Sequence, residues 1–127
     1  MIRGIGVDTA SISELARILE VAGDAFISRT FSAREIAAAH ARPDSTEYLA
    51  VRFAAKEAVI KAVGDLAPHT ALEFRAIETL SAPTGAPYVQ IDPELQAALD
   101  EAQVERLFLS ATTEGDFATV FVIAEGK

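Results

Sequence analysis

Apolar positions along the chain keep a helical spacing through its first half and change to alternation in its second. "IRGIGVD", residues 2–8, is a short apolar run holding two glycines, and it reads as a strand that ends at Asp8. "SISE", residues 11–14, has the pattern in which a serine and a glutamate three positions on satisfy the first amides of a helix. The spacing that follows puts Ile12, Leu15, Leu19 and Ala22 on one buried face. "SARE", residues 32–35, repeats the capping signal, and Pro43 closes the second, shorter helix. The longest helix starts near Asp44 or Ser45 and ends before Gly64, which reads as its C-terminal cap. Beyond it, Leu72, Phe74, Ala76 and Leu80 alternate with polar positions over much of "LEFRAIETL". "SAPTGAP" is a turn and "PYVQI" a further short strand. Asp92 followed by Pro93 predicts an N-cap and first helical position, hence a helix over Pro93 to Ala102. "RLFLSAT" and "FATVFVIA" flank "TEGD" as a hairpin. Helices first and strands later predict an α+β fold, with helices packed on a largely antiparallel sheet.

Composition narrows the function classes. The 127 residues suit one compact domain spanning 1–127, with a single core. With no cysteine there is no disulfide framework and no thiolate site. No apolar run is long enough for a membrane helix, and the N-terminus lacks the apolar stretch of a signal peptide, so a cytoplasmic protein is expected. The formal net charge of −8 argues against nucleic acid and against an anionic membrane as partners.

One helix does not fit the pattern of a solvent-facing element. "FAAKEAVIKA", residues 53–62, is apolar almost all the way round, yet it carries Lys56, Glu57 and Lys61, with Arg52 just before it. Arg52 and Lys56 are four apart, as are Glu57 and Lys61, so each pair runs along one line of the helix. Taken alone, Glu57 and Lys61 read as a surface ion pair contributing a few tenths of a kcal/mol. Asp8 adds a second possibility. It sits at the predicted end of a strand, after Gly4 and Gly6, which let a neighbouring backbone or a ligand come close. Asp8 reads either as a turn or capping aspartate or as half of a metal site. A carboxylate from a strand and one from a helix can hold Mg²⁺, with water and phosphate oxygens completing the octahedron and lysines meeting the remaining phosphate charge.

These residues carry a resemblance. "GIGVD" at the N-terminus, "RFAAKEAVIKAVG" at 52–64 about fifty residues on, and "TGAPYV" at 84–89 resemble the bacterial holo-[acyl-carrier-protein] synthase family, the small 4′-phosphopantetheinyl transferases. The likeness spans nearly the whole chain. It implies transfer of 4′-phosphopantetheine from coenzyme A to a serine of an apo acyl carrier protein or carrier domain, dependent on Mg²⁺, with release of adenosine 3′,5′-bisphosphate. It implies Asp8 and Glu57 as metal ligands. It implies Lys56, Lys61 and Gly64 near the coenzyme A phosphates, Arg52 beside them, and Pro87 in the family's Gly-x-Pro segment. Lys61 joins Asp8 and Glu57 as catalytic, and either Glu57 or a water on the metal accepts the serine proton. The family resemblance further implies a homotrimer with each site between two subunits.

The chain departs from the family pattern twice. Where the family carries a histidine after Ser-x-Thr, this chain has Thr113, aligned through Ser110 and Thr112. Its two histidines, His40 and His69, match no motif and are expected at the surface. On the first helix, Glu14 stands where the family often has an arginine that meets an acidic carrier; Arg17 remains, with Arg29 and Arg34 further along. That pattern favours a less acidic carrier, such as a domain of a large synthase. The alternative reading is a catalytically silent relative that binds coenzyme A or a carrier protein.

Overall fold

The computed structural model describes residues 1–127. It runs β1 (Ile2–Ser11), α1 (Ile12–Thr30), α2 (Ala33–His40), α3 (Ser45–Val63), β2 (Glu78–Ser81), β3 (Pro87–Gln90), α4 (Pro93–Ala102), β4 (Arg106–Glu114) and β5 (Phe117–Glu125), with short 3-10 turns at Gly64–Leu66 and Phe74–Ala76. The expected α+β class holds. One antiparallel sheet has the order β1-β5-β4, and β2 with β3 forms a separate antiparallel pair. No helix is long and apolar enough to cross a membrane.

α3 forms the centre of the molecule. Its alanines 50, 54, 55, 58 and 62, with Val59 and Val63, are buried around its circumference and join one core with Leu15, Phe31, Ile77, Leu95, Leu99, Val120 and Val122. The two N-terminal glycines permit this packing. A Cβ at Gly4 would lie 1.9 Å from the carbonyl oxygen of Ala62, and one at Gly6 would lie 1.9 Å from that of Ala58. The close approach that the sequence leaves open, backbone or ligand, is therefore made by the α3 backbone.

Several expectations need correction. β1 continues to Ser11, so Asp8 lies inside the strand opposite Val120 and not at its end. Pairing with β5, in regular register from Gly4 to Ser11, carries the chain past Asp8. Ala22 is exposed, with non-helical backbone angles at a kink in α1, and Phe26 and Ile27 turn inward after it. Gly64 closes α3 in right-handed geometry (φ −55°) and leads into a 3-10 turn, without the left-handed cap its identity predicts. The alternating stretch 72–80 forms a strand only from Glu78, because Phe74–Ala76 coil into a 3-10 turn. The helical capping signals are realised: Ser11, Ser32 and Asp92 each accept a backbone amide at the starts of α1, α2 and α4. His40 and His69 are exposed.

Candidate active site

The residues proposed from the sequence separate into three places and one buried ion pair. The first is the contact between β1 and α3. Asp8 reaches it from β1, on the sheet face that packs against the helices, because its register partner Val120 is fully buried there. Glu57 and Lys61 come from α3 one turn apart and bring their charges to the same edge. The Lys61 ammonium donates to Asp8 Oδ1 at 2.9 Å and to the Val7 carbonyl at 3.0 Å. Asp8 is 11 % exposed and Lys61 54 %, so the lysine covers the carboxylate from the solvent side. Burial, then the adjacent Asp8 carboxylate, push the Glu57 carboxyl above its usual range, while Lys61 opposes the shift. The ammonium of Lys61 is held above its usual range, chiefly by its hydrogen bond to Asp8. Gly64 follows on the same side of α3, and an added Cβ there would meet only Ile60 Cγ2 at 3.6 Å.

A cleft of about 180 Å³ opens from this edge, lined by Asp8, Glu57 and Glu14 at its polar end and by Leu15, Phe26 and Phe53 along its apolar wall. Phe26 and Phe53 pack with their ring centroids 5.8 Å apart and their planes tilted by 50°, which makes that wall continuous. No group of three or more His, Cys, Asp or Glu side chains is placed to hold a metal ion together. Asp8 and Glu57 alone therefore form the carboxylate pair. Two hard oxygen donors with room for phosphate oxygens and water fit Mg²⁺, and they do not fit a four-ligand zinc site.

The second place holds Arg52 and Pro87. Arg52 is 5 % exposed, with its guanidinium carbon 3.7 Å from the centre of the Tyr48 ring. It donates to Ser81 Oγ, and Ser81 is the β2 partner of Pro87 in β3. Its Nε is buried without a partner.

Lys56 belongs to neither surface, which corrects the expectation that it lies near phosphates. It is fully buried and bonded to Glu35. A helix turns about 100° per residue, so Lys56 and the next residue, Glu57, face different sides of α3. The charged residues of this helix thus do not all face one cleft.

The third place is Thr113, near the turn-proximal end of β4 and paired with Ala118 of β5. It lies within the strand and not after it. Thr113 shares the helix-side face with Asp8 but is two strands across and one pleat along. Strand spacing and rise put their backbones roughly 12 Å apart.

Two structural residues were not singled out from the sequence. Glu35 was legible only as the glutamate of a capping box; its second role needs Lys56, which is 21 residues distant. Asp116, in the β4–β5 turn, accepts from the Ser13 amide at 2.8 Å and from the hydroxyls of Ser11 and Ser13 at 2.6 and 2.7 Å. It locks the hairpin to the start of α1. Arg34 is paired with Glu78 at the surface.

Comparison with known proteins gives the family of the chain. The sequence profile of the 4′-phosphopantetheinyl transferase superfamily matches residues 4–122. A holo-[acyl-carrier-protein] synthase from Burkholderia mallei is 40 % identical over 98 % of this chain and 89 % of its own length. The crystal structure of holo-[acyl-carrier-protein] synthase from Neisseria meningitidis superposes with a TM-score of 0.89 at 37 % identity, covering 98 % of this chain and 99 % of that one. The complex of the Chronobacterium ammoniagenes synthase with coenzyme A gives a TM-score of 0.82 at 34 % identity, covering 98 % and 97 %. With the sequence matched along nearly all its length and the fold superposed over the same span, the chain belongs to the 4′-phosphopantetheinyl transferase superfamily and is an enzyme of the holo-[acyl-carrier-protein] synthase type.

Proposed function

We propose that residues 1–127 act as one domain that transfers 4′-phosphopantetheine from coenzyme A to a serine of an apo acyl carrier protein or carrier domain, using Mg²⁺ and releasing adenosine 3′,5′-bisphosphate. The observation that carries this reading is the meeting of Asp8, Glu57 and Lys61 at the mouth of a cleft. Coenzyme A is taken from the relatives, since those from Chronobacterium ammoniagenes and Helicobacter pylori are complexes with it.

Asp8 and Glu57 would hold the metal, which supplies neutralisation of charge on the transferring and leaving phosphate oxygens. Lys61, largely exposed, is free to turn from Asp8 to a phosphate oxygen. Gly64 leaves space for phosphate beside the end of α3, as nothing in the chain itself requires a glycine there. Arg52 would stand beside the phosphates, with Pro87 in the hairpin that Arg52 contacts through Ser81. The carrier serine Oγ attacks the β-phosphorus. A P–O bond forms to the serine, the pyrophosphate P–O bond breaks, and the leaving phosphate keeps the electron pair. Glu57, or a water beside it, would take the serine proton.

The same reading makes the enzyme a cytoplasmic homotrimer. The sheet face opposite the helices exposes Ile5, Val7, Phe108, Phe121 and Ile123, an apolar surface that assembly would cover. Thr113 of one subunit would then complete the site built on Asp8 of its neighbour. A threonine hydroxyl there donates a hydrogen bond but carries no charge.

The test is incubation with Mg²⁺, coenzyme A and an apo carrier, followed by mass spectrometry of the carrier. The expected result is a mass increase of one phosphopantetheine, abolished by a chelator and by Asp8→Ala. Normal turnover in Asp8→Ala rejects the metal assignment. No modification of any carrier by the parent protein leaves the silent relative as the reading.

A further inference from the structure

Lys56 has no free donor to offer a phosphate. Its ammonium donates to Glu35 Oε1 at 2.7 Å, to the Phe74 carbonyl at 2.8 Å and to the Ile77 carbonyl at 2.7 Å, which uses all three N–H groups. Both side chains of the pair are 0 % exposed. Glu35 is equally engaged: Oε1 also accepts from the Ser32 amide at 2.8 Å, and Oε2 accepts from the Thr79 amide at 3.0 Å. The Phe74, Ile77 and Thr79 groups bonded to the pair all lie in one short stretch. That stretch is a 3-10 turn leading into β2, so it has few sheet hydrogen bonds of its own. Immediately beyond lies Ser81, which accepts from Arg52 and pairs with Pro87.

We infer that Lys56 and Glu35 are positioning residues, which fix segment 74–81 against α2 and α3 and thereby place Arg52 and the Pro87 hairpin for coenzyme A. The inference rests on the transferase reading of the site. The neighbours Lys56 and Glu57 divide their work by direction, one inward as a strut and one outward to the reacting groups. Burial lowers the proton affinity of Lys56, with Glu35 opposing the shift, as befits an ammonium held by the interior and not by solvent.

The chain has three lysines, Lys56, Lys61 and Lys127, so reductive methylation of the folded parent enzyme gives a direct readout. Lys61 and Lys127 should be modified, coenzyme A should protect Lys61, and Lys56 should stay unmodified with or without coenzyme A. Methylation of Lys56 in the free enzyme with protection by coenzyme A overturns the inference. Glu35→Gln, which replaces one acceptor by a donor, should raise KM for coenzyme A about 5- to 10-fold with kcat within about twofold. Hydrogen exchange at the Thr79 amide should quicken in parallel. A parental KM, or a raised KM with unchanged exchange, also overturns it. If Glu35→Gln fails to fold, the apolar double variant Lys56→Met with Glu35→Leu carries the same two readouts, since an apolar pair of similar volume can replace a buried ion pair. A parent enzyme that modifies no carrier would refute the transferase reading, whereas the methylation pattern would still report on Lys56.

Discussion

Glu57 carries a pH dependence that follows from its surroundings. Burial and the Asp8 carboxylate raise its proton affinity above that of the unfolded chain, whose glutamate value is 4.5. In the window above 4.5 the folded state therefore binds more protons than the unfolded state, and stability falls as pH rises through the folded value. In the metal-free protein, Glu57→Gln should be more stable than the parent at pH 7, by a few tenths to ~1 kcal/mol after allowing for solvent screening. The advantage should vanish below about pH 4.5, where the parent carboxyl is neutral in both states. Urea midpoints measured in a chelator across pH check this, and an advantage that persists at low pH contradicts it. The same variant should lose nearly all transfer activity, the usual exchange of stability for function at a charged site. Lys61 gives the complementary case. It neutralises Asp8 in the free protein, so Lys61→Ala should raise KM for coenzyme A while strengthening Mg²⁺ binding measured without coenzyme A. Weaker Mg²⁺ binding in that variant would show that the lysine does not compete with the metal.

At the scale of elements, two glycines should respond to alanine in opposite ways. Gly6→Ala would drive a methyl group into the Ala58 carbonyl, 1.9 Å away, and push α3 from β1. A cost of ~1–3 kcal/mol is expected from overpacking, and activity should fall because Asp8 and Glu57 are carried on those two elements. Gly64→Ala meets no such obstacle, since φ is −55° and the nearest atom is 3.6 Å away. It should leave stability unchanged or raise it by ~0.4–1 kcal/mol, while raising KM for coenzyme A. Parallel denaturation and kinetics separate the two, and equal destabilisation would mean that Gly64 also serves packing. The capping signals that place α1, α2 and α4 were legible because each acts over three or four residues. The end of β1 and the coil at Phe74–Ala76 were not, since pairing with β5 decides the first and bonds from Lys56 help to decide the second.

For the whole molecule, the proposed homotrimer would bury the exposed apolar face of the β1-β5-β4 sheet. Phe121 stands on it with Val7 and Ser110 as its neighbours across the ladder. Phe121→Asp should leave the helix-side core intact, because that side chain points away from it, and should convert the proposed trimer to monomer in light scattering. Activity should fall even though Asp8, Glu57 and Lys61 remain in each chain, as Thr113 would no longer reach a neighbouring site. A fully active monomer would show that one chain suffices.

Local capping and periodicity in the sequence marked out the helices and the hairpin, since each signal acts over a few residues. Asp8 and Glu57 were joined as one set only by the family resemblance. Only the tertiary structure decided how the charges of α3 are divided. Lys56 and Glu57 are adjacent in the chain, but the helical turn sends one into a fully buried pair with Glu35 and the other to Asp8. Which side is interior depends on where β1 and α2 pack, and Gly4 and Gly6 admit that packing without announcing which face of α3 they will meet.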